Sequence, residues 1–151
     1  MSELEARAIE LKKNMDVLSS HFQSLTSASS SEELSLQELK IVDYIGRCES
    51  CIMREISEYS KVAVSTMTGI IDKLEDKGLV KRERNDDDRR IVRVLLTNKG
   101  RKIYQSYVEN YLELSRQMLQ TLNADEQETY LELTKKIAQS AAHYIASNII
   151  N

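Results

Sequence analysis

Proline and tryptophan are missing from this 151-residue sequence, glycines number only four, and aromatic residues make up 5% of it. Turn-rich sandwiches and barrels depend on residues that are scarce here, so the composition favours helices. Two cysteines are too few for a disulfide framework and are expected as reduced thiols. No apolar run approaches the roughly 20 residues that cross a bilayer, so no membrane partner is expected. The opening stretch MSELEARAIELKK is acidic and amphipathic, unlike a secretory signal, which starts basic and turns apolar. A cytoplasmic location is the expectation. Also missing are a Gly-rich phosphate loop, a Ser/His/Asp set at recognisable spacing and paired histidines on one helix. The chain is therefore not expected to be an enzyme or to carry a cofactor.

What is present is 41% hydrophobic and 30% charged residues, the balance of one domain long enough to bury a core. The net charge of −3 conceals an uneven distribution. Lys61 to Lys102 holds 12 basic and 7 acidic side chains, a net +5, while the rest holds 9 and 17, a net −8. A basic middle between acidic flanks is an electrostatic footprint for phosphate backbones. A solvated charged surface gives the same count, so placement must decide between them.

Apolar periodicity gives the elements. Leu4, Ala8, Leu11, Met15, Leu18, Phe22 and Leu25 recur at spacings of four and three, one stripe of a helix that seeks another helix. Ser27 to Ser31 is a serine-rich break. Ser35 with Glu38 forms a capping-box pattern before Leu39, Val42 and Ile45, and Gly46 marks the expected helix end. Cys51 to Met53 suits a brief strand, and Arg54 to Ser60 a small helix with Ile56 and Tyr59 pointing inward. Val64 to Lys77 reads as a further helix with Gly78 at its cap. Leu79 to Arg84 and Ile91 to Leu96 alternate like strands on either side of the polar tip Asn85 to Arg90, which predicts a hairpin. Thr97 caps a long helix carrying Ile103, Tyr104, Tyr107, Tyr111, Leu114, Met118 and Leu122. Asn123 with Glu126 starts the last one, with Leu133, Ile137, Ala141, Tyr144, Ile145 and Ile149. The predicted fold is mainly α with a small β-hairpin wing. It is a winged helix-turn-helix lobe over 35–97 (helix-turn-helix about 54–77, wing 79–97), flanked by helices over 1–28 and 98–151 in a single domain.

Opposite its apolar stripe, the 64–77 helix presents Ser65, Thr66, Thr68, Gly69, Asp72 and Lys73. Short polar residues near a helix N-terminus are what a major-groove reader needs, because backbone and side chains approach base edges closely there. Gly69 costs the helix about 1 kcal/mol relative to Ala, which close approach to DNA or to another helix would explain. At the hairpin tip, Arg89 and Arg90 are placed to enter a minor groove, with Asp88 orienting a guanidinium. An ordinary amphipathic helix and rim ion pairs worth roughly 0–1 kcal/mol are the alternatives.

The stretch VSTMTGIIDKLEDKGLVKRERNDDDRRIVRVLLTNKG resembles the core of the MarR (multiple antibiotic resistance regulator) family. The resemblance lies in the Ser/Thr-led helix, Asp72-Lys73-Leu74-Glu75, Lys77-Gly78-Leu79-Val80, Asp88-Arg89-Arg90 and Leu96-Thr97-Asn98-Lys99-Gly100, in matching order. It implies a winged helix-turn-helix regulator that binds double-stranded DNA as a homodimer. Its first and last two helices would form the dimerisation platform, 64–77 the recognition helix, and Arg90 the wing arginine. Many members repress their own operon and are released by a small ligand, an oxidant or a metal ion. Two residues depart from the pattern. Ala63 stands where a capping serine is common, and Gly69 where a larger basic residue is common.

For sensing, three readings stay open. Cys48-Glu49-Ser50-Cys51 has the spacing of a redox disulfide or half a zinc site, or is simply packing at a helix end. No nearby histidine or cysteine completes a zinc site, so no metal is expected. His21 and His143 lie on the terminal helices, as packing residues or as ligands. Tyr44, Tyr104, Tyr107 and Tyr111 are candidate walls of the family-typical pocket for a phenolic or amphipathic effector. The rival to a DNA reader is a winged-helix module that binds protein.

Overall fold

The computed structural model of the chain describes residues 1–27, 34–84 and 91–148. Its elements follow the expected order: α1 (Glu3–Ser27), α2 (Leu36–Cys48), β1 (Cys51–Ile52), α3 (Met53–Ser60), α4 (Val64–Asp76), β2 (Val80–Arg84), β3 (Val92–Leu96), α5 (Asn98–Gln120) and α6 (Ala124–Asn148). The fold is mainly helical with a small antiparallel sheet in the order β1-β3-β2. β2 and β3 pair from Val80 opposite Leu96 to Arg84 opposite Val92, and Cys51 pairs with Val94. No helix among the described residues is long and apolar enough to cross a membrane.

The chain divides into two compact units, Met1–Leu112 and Glu113–Asn151. In the first, the core lies between Leu39 and Leu96. Ile41, Ile45, Ile56, Met67, Ile71, Leu74, Leu79 and Val94 are fully buried there. These side chains come from α2, α3, α4 and the sheet, so the amphipathic faces of short helices close over a small β face. In the second unit, Asn123 and Glu126 form the expected reciprocal cap at 2.9 and 3.0 Å. The Gln127 amide donates to the carbonyls of Leu119 and Leu122, fastening the turn into α6.

Local chemistry explains most boundaries. The Ser35 hydroxyl accepts from the Glu38 amide at 3.2 Å while the Glu38 carboxylate accepts from the Ser35 amide at 2.7 Å. Gly78 ends α4 with φ +73°, a left-handed turn in which it has no side chain to strain. Thr97 caps α5, accepting the Gly100 amide at 3.1 Å and donating to the Gly78 carbonyl at 2.6 Å.

Several boundaries differ from the sequence reading. α2 does not stop at Gly46 but runs to Cys48. A Cβ on Gly46 would lie 2.5 Å from the Tyr104 ring, so this glycine serves close packing of α5 rather than termination. Met53 begins α3 instead of extending β1, and the wing strands start one residue late, at Val80 and Val92. Tyr59 does not point inward. It is 44% exposed, with one face stacked on Tyr44 at a ring separation of 4.1 Å.

Candidate nucleic-acid interface and adjoining cleft

α4 carries a division of labour set by its sequence period. Met67, Ile71 and Leu74 are buried in the core, while Ser65, Thr66, Thr68, Gly69, Asp72 and Lys73 are all exposed on the opposite side. As its sequence implied, Ala63 makes no side-chain cap bond, so the first amides of α4 lack that partner. The Thr68 hydroxyl donates to the Val64 carbonyl at 2.9 Å. Lys73 has no ion-pair partner among the described residues. A Cβ at Gly69 would meet nothing within 4 Å, which removes helix packing as the reason for this glycine.

Asp72, on the polar face of α4, has a partner on the wing. Arg82 on β2 donates to Asp72 at 2.6 Å and to Glu75 at 2.5 Å, and its amide donates to Glu75 at 3.2 Å. This brace ties the wing to α4 through a planar charged fork. The sequence signal was two carboxylates three residues apart on a helix, followed by an arginine on the next strand. A second chain of contacts orients the helix from behind. The Lys77 ammonium donates to Glu38 at 3.0 Å, and Lys99 donates to the Lys77 carbonyl at 2.9 Å. Burial pushes the Glu38 carboxyl up, but the Ser35 amide and Lys77 outweigh it and hold it below its ordinary value. Arg84 and Arg93 are exposed on the wing strands. The tip itself, with Asp88, Arg89 and Arg90, lies outside the described residues.

Next to this lobe a cleft of about 980 Å³ opens in the first unit, within the range of small-ligand sites. Three of the four tyrosines expected to form a pocket line it, Tyr104, Tyr107 and Tyr111 on α5. Tyr44 stands behind them, stacked on Tyr59, which takes the wall position instead. Burial and the neighbouring Cys48 thiol push the Tyr44 phenol up to about 12, and burial raises that of Tyr107. Both are therefore neutral donors at physiological pH. The cleft also holds charge that sequence reasoning missed. Lys40, Asp43 and Arg47 project from α2, and Lys61 follows α3. Arg47 pairs with Asp43 at 2.8 Å and donates to the Tyr59 hydroxyl at 2.8 Å, with its guanidinium 5.5 Å from the Tyr59 ring centre.

Cys48 is exposed and Cys51 is 1% exposed in the core, both as free thiols. Burial, with Cys48 beside it, pushes the Cys51 thiol up to about 12, which leaves almost no thiolate for redox chemistry. His21 is exposed, its Nδ1 2.9 Å from the Val17 carbonyl, and the His143 side chain lies outside the described residues. Among the described residues no three His, Cys, Asp or Glu side chains gather as a metal site would require.

Comparison with known proteins agrees with this geometry. The MarR family profile matches residues 34–92. YwhA of Bacillus subtilis, an uncharacterized HTH-type transcriptional regulator, is 33% identical over 99 residues, 66% of this chain and 71% of that protein. Among solved structures, Streptococcus pneumoniae FabT in complex with DNA matches with a TM-score of 0.83 at 21% identity, over 93% of this chain and 99% of that one. A MarR-like transcriptional regulator of Thermotoga maritima matches with a TM-score of 0.73 at 27% identity, over 94% and 98% of the two chains. The helix-turn-helix with its paired wing strands, the family profile and the relatives converge, and the chain belongs to the MarR family of transcriptional regulators.

Proposed function

We propose that this regulator binds a pseudo-palindromic operator as a homodimer, represses transcription from it, and responds to a small amphipathic ligand. The observation that carries the reading is the exposed, short, polar face of α4 held rigidly by a fully buried apolar one. Among the described residues only Asp72 of this face is engaged, by Arg82, and the short polar remainder suits insertion into a major groove. Ser65, Thr66, Thr68 and Lys73 are its contacts there, and Arg89 and Arg90, oriented by Asp88, reach a minor groove. The DNA in the FabT complex supports the same use of this fold. Dimerisation is supported by apolar residues left in water, Leu4, Leu11 and Met15 on α1 and Leu131, Leu133 and Ile137 on α6. A dimer on its operator represses by occluding polymerase. The cleft beside α2 and α5 is the effector site, a reading favoured over oxidation because Cys51 is buried.

The test is a gel shift on duplexes from the gene's own upstream region against random DNA. Log affinity should fall linearly with log salt through counterion release, which a protein-binding module would not show. Arg90→Ala should weaken binding about tenfold while the thermal melt stays in place, the size of one lost arginine contact. Footprints should show two half-sites about 10 base pairs apart. Equal affinity for random and upstream duplexes, together with a silent Arg90→Ala, sinks the reading.

A further inference from the structure

Successive residues of α4 turn by about 100° around its axis. The buried Met67, Ile71 and Leu74 gather on one side, and Gly69 falls almost directly opposite them. It is the centre of the exposed face, not its margin. Ser65 and Thr66 stand one turn before it, and Asp72 and Lys73 one turn after, all exposed. Four polar side chains therefore frame a position that has none. Arg82 on β2 neutralises the one carboxylate in that frame, donating to Asp72 at 2.6 Å. Among the described residues, a Cβ on Gly69 would meet nothing within 4 Å. Its backbone is ordinary helix, since the glycine with positive φ is Gly78. Neither packing nor backbone geometry calls for glycine here, although only proline is less favourable inside a helix.

Chemistry limits what such a point can face in a major groove. Gly69 lies inside α4, so its amide and carbonyl belong to the helix's own hydrogen-bond ladder. With no side chain either, position 69 has nothing with which to pair a base. A base donor or acceptor pressed against it would lose its water without a replacement. Most groups on the major-groove edges of the bases are donors or acceptors, but thymine adds a C5-methyl. A methyl is better placed out of water and gains dispersion contact with the helix backbone. The group that alanine would supply from the protein, thymine supplies from the DNA.

Resting on the operator-binding reading above, we propose that Gly69 is a specificity-determining residue whose recess receives the C5-methyl of one thymine in each half-site. Ser65, Thr66 and Lys73 bond to the neighbouring base edges and phosphates, which fixes the register that brings this methyl to the recess. A side chain at 69 fills the recess from the protein side and drives the thymine away. Specificity at this base pair then comes from the fit of an apolar group, with no hydrogen bond to it.

The experiment uses the tightest duplex that the wild-type protein selects from a randomised pool. Each thymine is replaced in turn by deoxyuridine, in both half-sites together. Uracil keeps every donor and acceptor of thymine and lacks only the methyl. Anisotropy titrations at fixed salt should find one symmetric pair of thymines whose replacement weakens wild-type binding about fifteenfold, roughly fourfold per methyl. Gly69→Ala should bind the thymine duplex at least tenfold more weakly than wild type, and at that pair its uracil penalty should vanish. Circular dichroism checks that the variant keeps its helices. No thymine pair costing the wild type more than twofold overturns the proposal. So does a Gly69→Ala protein that binds thymine and uracil duplexes with the wild-type pattern of penalties, because glycine would then serve backbone approach alone. A wild-type protein that selects no sequence from the pool fails the operator reading itself, before any uracil duplex is tested, and the proposal falls with it.

Discussion

An added methyl group at Gly69 would meet nothing within 4 Å, whereas one at Gly100 would land on the Leu79 carbonyl. Both glycines sit in helices, and nothing in their local sequence tells them apart. Gly69→Ala should stabilise the chain by up to about 1 kcal/mol through helix propensity alone. Gly100→Ala should destabilise it by about 1–3 kcal/mol, because the overpacked atom is backbone and cannot rotate away. Urea midpoints with unchanged slopes check both, and a destabilised Gly69→Ala protein would mean that α4 packs against another surface at this point. The same contrast governs Cys48 and Cys51. Their spacing suggested a reactive pair, but burial puts Cys51 in the core beside Val94 and raises its pKa. Spacing is visible in a sequence, and burial is not.

At the scale of elements, Glu38 has two roles. Its cap with Ser35 was legible because the partners are three residues apart, while its ion pair with Lys77 spans 39 residues and was not. The folded state holds its carboxyl below the ordinary value, so its contribution is present above the unfolded pKa and lost as pH falls through the lower folded one. Glu38→Gln should therefore cost about 1–3 kcal/mol at pH 7. The gap from wild type should close in acid, below the pH of normal carboxylate titration. Urea titrations at pH 7 and across the acid limb measure it, and a gap that stays constant with pH would contradict the Lys77 pairing. The wing shows the same limit. Its two strands were readable from alternation, but the Arg82 brace to Asp72 and Glu75 appears only once β2 lies against α4.

For the whole molecule, the core is confined to 39–96, and the terminal helices leave Leu11 at 57% and Ile137 at 63% exposure. An apolar stripe on a 25-residue helix with no buried residue among its described side chains fits the proposed homodimer. Leu11→Glu should leave helicity and the core intact, shift the mass seen by light scattering from dimer to monomer, and weaken operator binding by removing the second half-site's contribution. An unchanged dimer mass would move the interface away from α1.

What the sequence determined by itself was everything set within about four residues: helix and strand periods, the caps at Ser35, Thr97 and Asn123, the left-handed Gly78, and the polar face of α4. Those depend on neighbours along the chain, which a sequence displays directly. Tertiary structure alone decided which groups from distant elements meet. It brought Arg47 to Tyr59, Arg82 to α4, Gly46 under Tyr104, and the α5 tyrosines to face the cations of α2 across a cleft. The physical reason is that such contacts arise from the packing of whole elements, whose distances and angles are absent from any local pattern.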